Sequence, residues 1–345
     1  MTRVAINGFG RIGRQTFKSL LERYPDDLEI VAINDLSDLD TLAHLLRYDS
    51  TYGEFDGTIS VSGNRLEVHF DDDEGQERHL SIGVSAEHNP ESLPWGHQNV
   101  DLVIESTGRF TDAAQARAHL RAGARKVIIS APATNEDLTI CLGVNEDSYD
   151  TTIHHVVSNA SCTTNCLAPV AMVLHNTFGI RHGLVTTVHS YTMDQNLHDN
   201  VHKDLRRARA ATLNIVPTTT GAARAVGLVL PELRGKIDGL AMRVPTPTVS
   251  LIDFVVELEN VATIAEINNA FREAAAGDDL EGILEISDEP LVSTDFIGST
   301  ASAIVDLPLT MTLGGNLIKV VAWYDNEWGY ATRVADLAAF LADEL

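Results

Sequence analysis

A glycine-rich turn near the amino terminus limits how this chain can fold more than any other feature. Residues 7–13 contain the pattern G-x-G-x-x-G, and they follow a short apolar run at residues 4–6. After them, apolar residues recur at the i, i+3, i+4, i+7 spacing of a helix that packs one face on a sheet, namely at Phe17, Leu20, Leu21 and Tyr24. The small residues let the backbone approach a pyrophosphate at the positive end of that helix. The pattern therefore predicts a βαβ unit that binds a dinucleotide.

The residue that follows the second predicted strand indicates which dinucleotide binds. Asp35 stands 22 residues after Gly13, where a carboxylate can accept hydrogen bonds from the ribose hydroxyls of the adenosine. A carboxylate repels a 2′-phosphate, so the sequence predicts a preference for NAD over NADP. A glycine turn in an α/β domain that binds nothing remains the alternative at this point.

The rest of the first half has the sequence pattern of an α/β domain. Its Val- and Ile-rich runs at residues 30–33, 102–104 and 127–129 are typical of buried parallel strands. A second helix is predicted over residues 112–122, ending at Gly123 as a left-handed cap. After about residue 160, longer alternating segments at 184–190 and 249–258 favour a mixed or antiparallel sheet. A terminal helix is predicted from the helical spacing of Val334, Leu337, Ala338 and Leu341.

Composition excludes several classes of protein. The chain of 345 residues has 49 acidic and 25 basic side chains, and its net charge of −24 argues against nucleic acid as a partner. No apolar run approaches the roughly 18 residues that span a bilayer, and no signal peptide is apparent. Three cysteines do not form a disulfide framework, so we expect reduced thiols and a cytoplasmic protein. The acidic run at residues 71–74 is interpreted as a solvated turn.

One cysteine stands where a reactive thiol is favoured. Residues 156–159 have the pattern of a strand, and a helical pattern begins at Cys162. Backbone N–H groups and the dipole at a helix start stabilise a thiolate and can receive an oxyanion beside the sulfur. Cys162 and Cys166 have the spacing of two zinc ligands, but no second pair exists, so Cys166 and Cys141 are interpreted as buried core residues and no metal is predicted.

Several motifs along the chain, in the same order, resemble those of one enzyme family. Residues 160–165, Ala-Ser-Cys-Thr-Thr-Asn, match the active-site signature of phosphorylating glyceraldehyde-3-phosphate dehydrogenases, and the resemblance runs essentially end to end. Further matching motifs lie at residues 7–14, 105–108, 189–192, 217–223, 243–247 and 323–330. The fold that the patterns and the resemblance predict is α/β, with a Rossmann-type parallel-sheet dinucleotide domain at 1–161 and an α+β catalytic domain at 162–326 that has a mixed or antiparallel sheet. The terminal helix, 327–345, would join the first domain.

The resemblance implies a covalent mechanism. Cys162 would attack an aldehyde, with His189 as an imidazolium that favours the thiolate and then takes the proton of the hemithioacetal as a hydride leaves for NAD. The resulting thioester would be cleaved by inorganic phosphate. The substrate would be glyceraldehyde 3-phosphate, and the product 1,3-bisphosphoglycerate. Taken without the family, His189 would rank only slightly above His154 or His155.

Motif matching also implies binding residues. The phosphate of the substrate would contact Thr192, Arg207 and Arg243, and the attacking phosphate would contact Ser161, Thr163, Thr220 and Gly221. Without the family, each threonine would be interpreted as a helix cap. The implied cofactor contacts are Gly8, Gly10, Arg11, Ile12, Gly13, Asp35, Ser130 and Asn326, of which Asn326 would orient the nicotinamide carboxamide.

Three departures from the family pattern, at His88, Met193 and residues 200–201, imply a preference for NAD rather than strict exclusivity. The nearest alternative function is erythrose-4-phosphate dehydrogenase, whose thioester is resolved mainly by water, and an alternative of another class is a non-catalytic dinucleotide-binding protein. The family resemblance also implies a homotetramer, with residues from about 191 to 213 at its interface.

Overall fold

The short apolar runs of the first half form the central strands of one sheet in the computed structural model, which describes residues 1–72 and 75–345. Residues 73 and 74, half of the predicted solvated turn, lie outside the described residues. The chain divides into two units, one of residues 1–140, 148–159 and 331–345, and the other of residues 141–147 and 160–330. The predicted boundaries at residues 161 and 326 stay predictions.

The first unit is built on a largely parallel sheet. Its strands are Thr2–Asn7 (β1), Leu28–Asn34 (β2), Tyr48–Asp49 (β3), Gly53–Glu54 (β4), Thr58–Ser62 (β5), Arg65–Asp71 (β6), Glu77–Ser85 (β7), Leu102–Glu105 (β8), Lys126–Ile129 (β9), Leu138–Thr139 (β10) and Val156–Ser158 (β11). Among the described residues, the main sheet has the order β10-β11-β9-β8-β1-β2-β7-β6-β5, and β3 pairs separately with β4. The pairs from β10 to β7 are parallel, and β6 and β5 extend the sheet antiparallel.

Helices of the first unit follow the strands as the sequence predicts, with one exception. They are Arg11–Arg23 (α1), Leu39–Arg47 (α2), Ala113–Ala116 (α3) and Ala118–Arg121 (α4). Phe17, Leu20 and Leu21 on α1 are buried, which confirms the predicted packing face. The single helix predicted over 112–122 is wrong, because Arg117 has a ψ of −10° that separates α3 from α4. Gly123 has the positive φ expected of its cap, at +115°.

The second unit contains a mixed sheet, as the alternating segments predict. Its strands are Ile180–Ser190 (β12), Val216–Thr219 (β13), Ile237–Val244 (β14), Ser250–Leu258 (β15), Leu284–Ser287 (β16), Ala303–Asp306 (β17), Met311–Leu313 (β18) and Leu317–Tyr324 (β19). The order in the described residues is β13-β14-β12-β15-β19-β17-β16, with β18 paired to β19. The β12–β14 and β16–β17 pairs are parallel, and the other pairs are antiparallel.

Three helices belong to the second unit, Cys162–Phe178 (α5), Ala222–Val229 (α6) and Ile264–Ala275 (α7). Apolar residues of α5, including Leu167, Val170 and Leu174, are fully buried in a core that they share with β15 and β19. The core fixes α5, whose first residue is Cys162. The terminal helix Trp328–Asp343 (α8) buries all four residues that predicted it. The α/β fold class is confirmed.

Candidate active site

The turn between β1 and α1 has the close backbone contacts that its glycines predict. Gly8 has a φ of +93°, and a Cβ built on it would lie 2.6 Å from the backbone nitrogen of Thr107. A Cβ on Gly13 would lie 2.1 Å from the carbonyl oxygen of Gly8. At Gly10 no described atom lies within 4 Å of such a Cβ. The first and third glycines therefore let the chain pack on itself, and the second leaves space for a ligand.

The amino-terminal end of α1 is open to an anion. Gly10 is the N-cap residue and supplies no side-chain cap, and the first turn contains no acidic side chain. Asp35 lies beside this end, where its Oδ2 accepts a 2.8 Å hydrogen bond from the N–H of Phe9. Free N–H groups at a helix start bind phosphate, and the neighbouring carboxylate suits a ribose.

These groups surround a cavity of about 230 Å³ in the first unit. Its lining includes Asn7, Gly8, Gly10, Asn34, Asp35, Leu36, Glu87, His88, Ser106, Thr107, Arg109 and Phe110. The close glycines, the open helix start and the carboxylate together fit a dinucleotide. Gly8, Gly10 and Asp35 are thus brought together as predicted.

Other predicted cofactor residues lie elsewhere in the same unit. The guanidinium of Arg11 pairs with Asp49, with Nη1 2.5 Å from Oδ2. Ile12 and Gly13 lie in the first turn of α1, and Ser130 follows β9, where its N–H donates to the carbonyl oxygen of Glu105 at 3.0 Å. These four residues lie outside the set that lines the cavity.

A buried polar network beneath the cavity escaped the sequence analysis. Glu105 ends β8, and its Oε2 accepts from Nδ2 of Asn7 at 2.5 Å and contacts Nε2 of His119 at 2.9 Å. Nε1 of Trp95 donates to Nδ1 of His119 at 3.0 Å. Because an indole N–H only donates, the proton of a neutral His119 is on Nε2. His119 thereby links α4 to the strand ends that line the cavity, a long-range contact that no local spacing indicates.

Cys162 lies at the start of α5, as predicted. Ser161 is the N-cap residue, and its Oγ accepts a 3.0 Å hydrogen bond from the N–H of Thr164. Cys162 is partly exposed, whereas Cys141 and Cys166 are buried, which confirms the interpretation of those two as core residues. The sulfur that can reach a substrate is therefore the one at the helix start.

His189 is brought against Cys162 by the sheet. Nε2 of His189 lies 3.5 Å from Sγ of Cys162, and its Nδ1 lies 2.8 Å from the carbonyl oxygen of Ser190. Parallel pairing of β12 with β14 sets Arg243 in register with His189, and Nη1 of Arg243 lies 3.0 Å from Nδ1. A nucleophile, a base and a cation thus occupy one small region.

The charges of this pair differ from the expectation. Burial and the neighbouring Arg243 lower the pKa of His189 to about 3. Burial also raises the pKa of Cys162, although Arg243 and the hydroxyl and N–H of Thr163 oppose this. Both shifts disfavour the imidazolium–thiolate pair that the resemblance implies, because a buried cation is disfavoured next to a guanidinium, and the imidazolium stays a prediction. The structure favours a thiol beside a neutral imidazole.

Residues predicted for the substrate phosphate do meet. Nη1 of Arg243 donates to Oγ1 of Thr192 at 3.0 Å, and Asp194 connects Thr192 to Arg207 by accepting from both. Arg207 also donates to Oγ1 of Thr218 at 2.9 Å. Burial alone would raise the pKa of Asp194, but the bond from Thr192 and the charges of Arg207 and Arg243 lower it. Asp194 was missed because one acidic residue among 49 gives no signal until its partners are known.

The residues predicted for the attacking phosphate form two pairs. Ser161 and Thr163 lie at the start of α5, where Oγ1 of Thr163 is 2.8 Å from the hydroxyl of Tyr324. Thr220 and Gly221 precede α6, and Oγ1 of Thr220 accepts from the N–H of Ala222 at 3.2 Å. Within the described residues, no hydrogen bond joins the two pairs. Each pair supplies a hydroxyl at a helix start, which is the chemistry that an anion requires.

Asn326 follows β19 in the second unit and is held by two serines to which the sequence analysis assigned no role. The hydroxyls of Ser190 and Ser250 each donate to its Oδ1 at 2.8 Å. Tyr324 lies in a matched motif but was also assigned no role, although its hydroxyl lies 2.9 Å from Oγ1 of Thr187 and its ring packs edge-on near His189. Ser190 ends β12 next to His189, and Tyr324 ends β19 two residues before Asn326, so position gave a signal for these two. Ser250 begins β15, which carries no predicted site residue, and gave no such signal.

Comparisons with known proteins agree with this geometry. The family model described as the NAD binding domain of glyceraldehyde 3-phosphate dehydrogenase matches residues 2–113, and the model of the C-terminal domain matches residues 161–326. A glyceraldehyde-3-phosphate dehydrogenase of Geobacillus stearothermophilus is 59% identical over 342 residues, which cover 99% of this chain and 98% of the relative. The chain belongs to the glyceraldehyde-3-phosphate dehydrogenase family. Its NAD-binding domain is the one that contains the cavity beside Asp35.

Further relatives extend the match. Glyceraldehyde-3-phosphate dehydrogenase 1 of Bacillus subtilis is 57% identical over 340 residues, covering 99% of this chain and 98% of the relative. The enzyme of Streptomyces coelicolor is 54% identical over 343 residues, covering 99% of each chain. In the described part of the chain, no helix is long and apolar enough to cross a membrane. The same residues contain no cluster of three or more His, Cys, Asp or Glu that suits a metal ion.

Proposed function

We propose that the protein oxidises glyceraldehyde 3-phosphate to 1,3-bisphosphoglycerate with NAD and inorganic phosphate, through a thioester on Cys162. The observation that carries this proposal is the 3.5 Å contact between Sγ of Cys162 and Nε2 of His189 at the start of α5. Full-length relatives that are 54–59% identical and named glyceraldehyde-3-phosphate dehydrogenase support the substrate. NAD is the cofactor of the family domain that includes the Asp35 cavity.

The residues divide the chemistry among them. Sγ of Cys162 attacks the aldehyde carbon while Nε2 of His189 accepts the thiol proton, and the N–H groups at the start of α5 stabilise the oxyanion. NAD, when bound, accepts the hydride equivalent that the aldehyde loses. His189 gives the thiol proton to the oxyanion, which becomes the hemithioacetal hydroxyl, and takes it back as the hydride leaves and the carbon becomes the thioester carbonyl. A phosphate oxygen then forms a bond to the thioester carbon, and the C–S bond breaks to release the acyl phosphate. The departing thiolate of Cys162 takes the proton that His189 holds, which regenerates the thiol.

The phosphate group of the substrate is assigned to Arg243, Arg207 and Thr192. Arg243 is partly buried, and its Nη1 lies 3.0 Å from Nδ1 of His189 and 3.0 Å from Oγ1 of Thr192. In this structure Arg207 donates to the carboxylate of Asp194, which occupies donors that a phosphate would use. A phosphate dianion near Arg243 also offsets the positive charge that lowers the pKa of His189, so substrate binding makes His189 a stronger base.

The attacking phosphate is assigned to Ser161, Thr163, Thr220 and Gly221. Their hydroxyls and the helix starts that they occupy offer hydrogen-bond donors without a formal positive charge. Such a site suits a phosphate that has to approach the thioester and leave with the acyl group. Water would replace phosphate as the acceptor in the alternative erythrose-4-phosphate reaction.

A homotetramer is proposed as the working assembly. Residues 191–213 carry several large apolar side chains that are mostly exposed in the single chain, namely Met193, Leu197, Val201, Leu205 and Leu213. Exposed apolar groups concentrated in one segment are typical of a protein–protein interface. Light scattering coupled to gel filtration tests this proposal, and a monomeric mass at micromolar concentration would contradict it. Three free cysteines support a reducing compartment, the cytoplasm.

A spectrophotometric assay tests the reaction. NADH formation from glyceraldehyde 3-phosphate is expected to depend on added phosphate, and kcat/KM is expected to be higher with NAD than with NADP. Equal turnover without phosphate would favour the erythrose-4-phosphate alternative. Cys162→Ser is expected to remove turnover and to retain NAD binding, whereas an unchanged rate would exclude Cys162 from the mechanism.

A further inference from the structure

The amide of Asn326 is held in one orientation by two buried hydroxyls. Oδ1 of Asn326 accepts from Oγ of Ser190 and from Oγ of Ser250, each at 2.8 Å. Ser190 and Ser250 are 0% and 1% exposed, and Asn326 is 4% exposed. A carbonyl oxygen has two lone pairs, so the serines use the full accepting capacity of Oδ1.

A backbone N–H also bonds to one of the two hydroxyls. The N–H of Ser190 donates to Oγ of Ser250 at 3.1 Å, and a backbone N–H cannot reverse its role. The hydroxyl of Ser250 therefore accepts from Ser190 and has its own proton to donate to Asn326. Rotating the amide by 180° would break both bonds to Oδ1, and both hydroxyls would have to turn and accept from Nδ2 instead, Ser250 with its one remaining lone pair.

The backbone around Asn326 is also held. Asp325 accepts a 2.8 Å hydrogen bond from Oγ1 of Thr248 and bonds from the N–H groups of Gly298 and Glu327 at 2.9 and 3.0 Å. The hydrogen bonds of Asp325 thus hold the backbone next to Asn326, and the two serines hold its side-chain amide. In the described part of the chain, its Nδ2 makes no hydrogen bond. This donor is therefore available to a ligand that offers an acceptor.

We propose that Ser190 and Ser250 are positioning residues that hold the NH₂ side of Asn326 toward the cofactor, so that it donates to the carbonyl oxygen of the nicotinamide carboxamide. This inference rests on the proposed use of NAD and on the assignment of Asn326 to the nicotinamide. An amide free to rotate would bind the carboxamide through either its oxygen or its NH₂ group. Because the two serines bind Oδ1 of Asn326, its NH₂ group faces the cofactor and binds the carbonyl oxygen of the carboxamide. One orientation of the nicotinamide group is thereby favoured.

Binding measurements with three dinucleotides test the proposal without relying on turnover. ADP-ribose lacks the nicotinamide, and 3-acetylpyridine adenine dinucleotide keeps the carbonyl oxygen but lacks the NH₂ group. The variants are Ser190→Ala, Ser250→Ala and the double substitution. Ser287→Ala is the matched control, because Ser287 is a buried serine of the same unit whose hydroxyl, among the described residues, bonds only to Glu289.

In the double variant, the Kd of NAD and of the acetylpyridine analogue is expected to rise by about three- to thirtyfold, which corresponds to one or two lost hydrogen bonds. The Kd of ADP-ribose is expected to stay within about twofold, since it does not contact Asn326. Calorimetric titration measures all three, and intact ADP-ribose binding reports a folded dinucleotide domain. Ser287→Ala is expected to bind all three as the wild type does.

Three outcomes would overturn the inference while the proposed reaction stands. The first is unchanged NAD affinity in the double variant, and the second is an equal loss for ADP-ribose, which would indicate a general structural effect. The third concerns the wild type: its Kd for the acetylpyridine analogue would exceed its Kd for NAD by the same factor by which Asn326→Ala raises the Kd of NAD. Such a result would mean that Asn326 accepts a hydrogen bond from the NH₂ group of the carboxamide. A wild type that binds neither NAD nor ADP-ribose would overturn the proposed function and this inference together.

Discussion

Nη1 of Arg243 lies 3.0 Å from Nδ1 of His189, and both nitrogens lie within 3.0 Å of the carbonyl oxygen of Ser190. When Nδ1 carries the proton, it donates to that carbonyl oxygen, and Nε2 faces Sγ of Cys162 as an acceptor. This is the tautomer that a general base requires. From its position on β14, Arg243 contacts both His189 and Thr192 of the proposed phosphate site. Its positive charge therefore acts on the catalytic pair and on a bound phosphate.

Replacing Arg243 is expected to raise the pKa of both catalytic groups. Its positive charge favours the thiolate of Cys162 and disfavours an imidazolium at His189, so it lowers both pKa values. In Arg243→Gln, the pH midpoint for alkylation of Cys162 by iodoacetamide is expected to move to higher pH. Cys141 and Cys166 are buried and should not compete for the reagent.

Arg207→Gln is the matched control for this titration. Arg207 belongs to the same proposed phosphate site, but in the described residues it makes no hydrogen bond to His189 or Cys162. Its substitution is expected to weaken substrate binding and to move the alkylation midpoint less than Arg243→Gln does. A midpoint that stays in place or falls in Arg243→Gln would disprove the electrostatic role of Arg243.

Substitution of His189 by Asn is expected to lower kcat by about 10²- to 10⁴-fold, the usual contribution of a positioned general base. The Kd of NAD should be unchanged, because the predicted dinucleotide cavity is lined by other residues. Stopped-flow and steady-state absorbance at the NADH band measure the effect. His182→Asn is the control, since His182 lies on the same strand but is exposed and pairs with Glu257. Equal rates in the two variants would remove His189 from the mechanism.

The sequence predicted well those parts of the fold and site that depend on local order. The glycine spacing at residues 7–13 and the apolar period of α1 are local, and so is the helix start at Cys162, and all three are found in the structure. His189 was singled out only by family resemblance, because its contact with Cys162 spans 27 residues and depends on how β12 meets α5.

Contacts between residues on different strands and helices could not be predicted from local sequence patterns. The break at Arg117 lies two residues before His119, whose hydrogen bonds to Trp95 and Glu105 are tertiary. The lowered pKa of His189 likewise depends on burial and on Arg243, which is 54 residues away and in register only after β12 and β14 pair. Such hydrogen-bond partners and pKa shifts can be identified only when the pairing of the strands in the sheet is known.

Asp35→Asn is expected to weaken discrimination against NADP. The carboxylate lies beside the open start of α1, and an amide removes its repulsion of a 2′-phosphate while still able to accept from the N–H of Phe9. The ratio of kcat/KM for NADP to that for NAD should rise by about tenfold or more. Asp38→Asn, which changes an exposed helix cap outside the cavity, should leave the ratio unchanged. An unaltered ratio in Asp35→Asn would refute the assigned role.

Two glycine substitutions form a matched pair in the dinucleotide turn. Gly13→Ala places a Cβ 2.1 Å from the carbonyl oxygen of Gly8, so the turn has to shift, and NAD binding is expected to fall at least about tenfold. Gly10→Ala meets no described atom within 4 Å and is expected to keep the fold. Thermal melting and NAD titration measure both. If Gly10→Ala lowers the melting temperature as much as Gly13→Ala does, the packing argument fails.

Glu105→Gln is expected to destabilise the first unit. The two carboxylate oxygens of Glu105 accept from Asn7, from His119 and from both the N–H and the hydroxyl of Thr107. Trp95 fixes the tautomer of His119, so a glutamine amide has to direct its NH₂ group at another donor whichever way it turns. We expect a loss of about 1–3 kcal/mol in the free energy of unfolding, the cost of a buried unsatisfied donor.

Calorimetric melting of Glu105→Gln measures this loss, with Glu91→Gln as the control. Glu91 is exposed and pairs with Arg121 at the surface, where an ion pair contributes about 0–1 kcal/mol. Because the network lies beneath the dinucleotide cavity, NAD should also bind more weakly to Glu105→Gln, whereas the alkylation rate of Cys162 in the other unit should stay the same. Equal melting of the two variants would mean that His119 and Thr107 find other partners, and that Glu105 does not hold the strand ends in place.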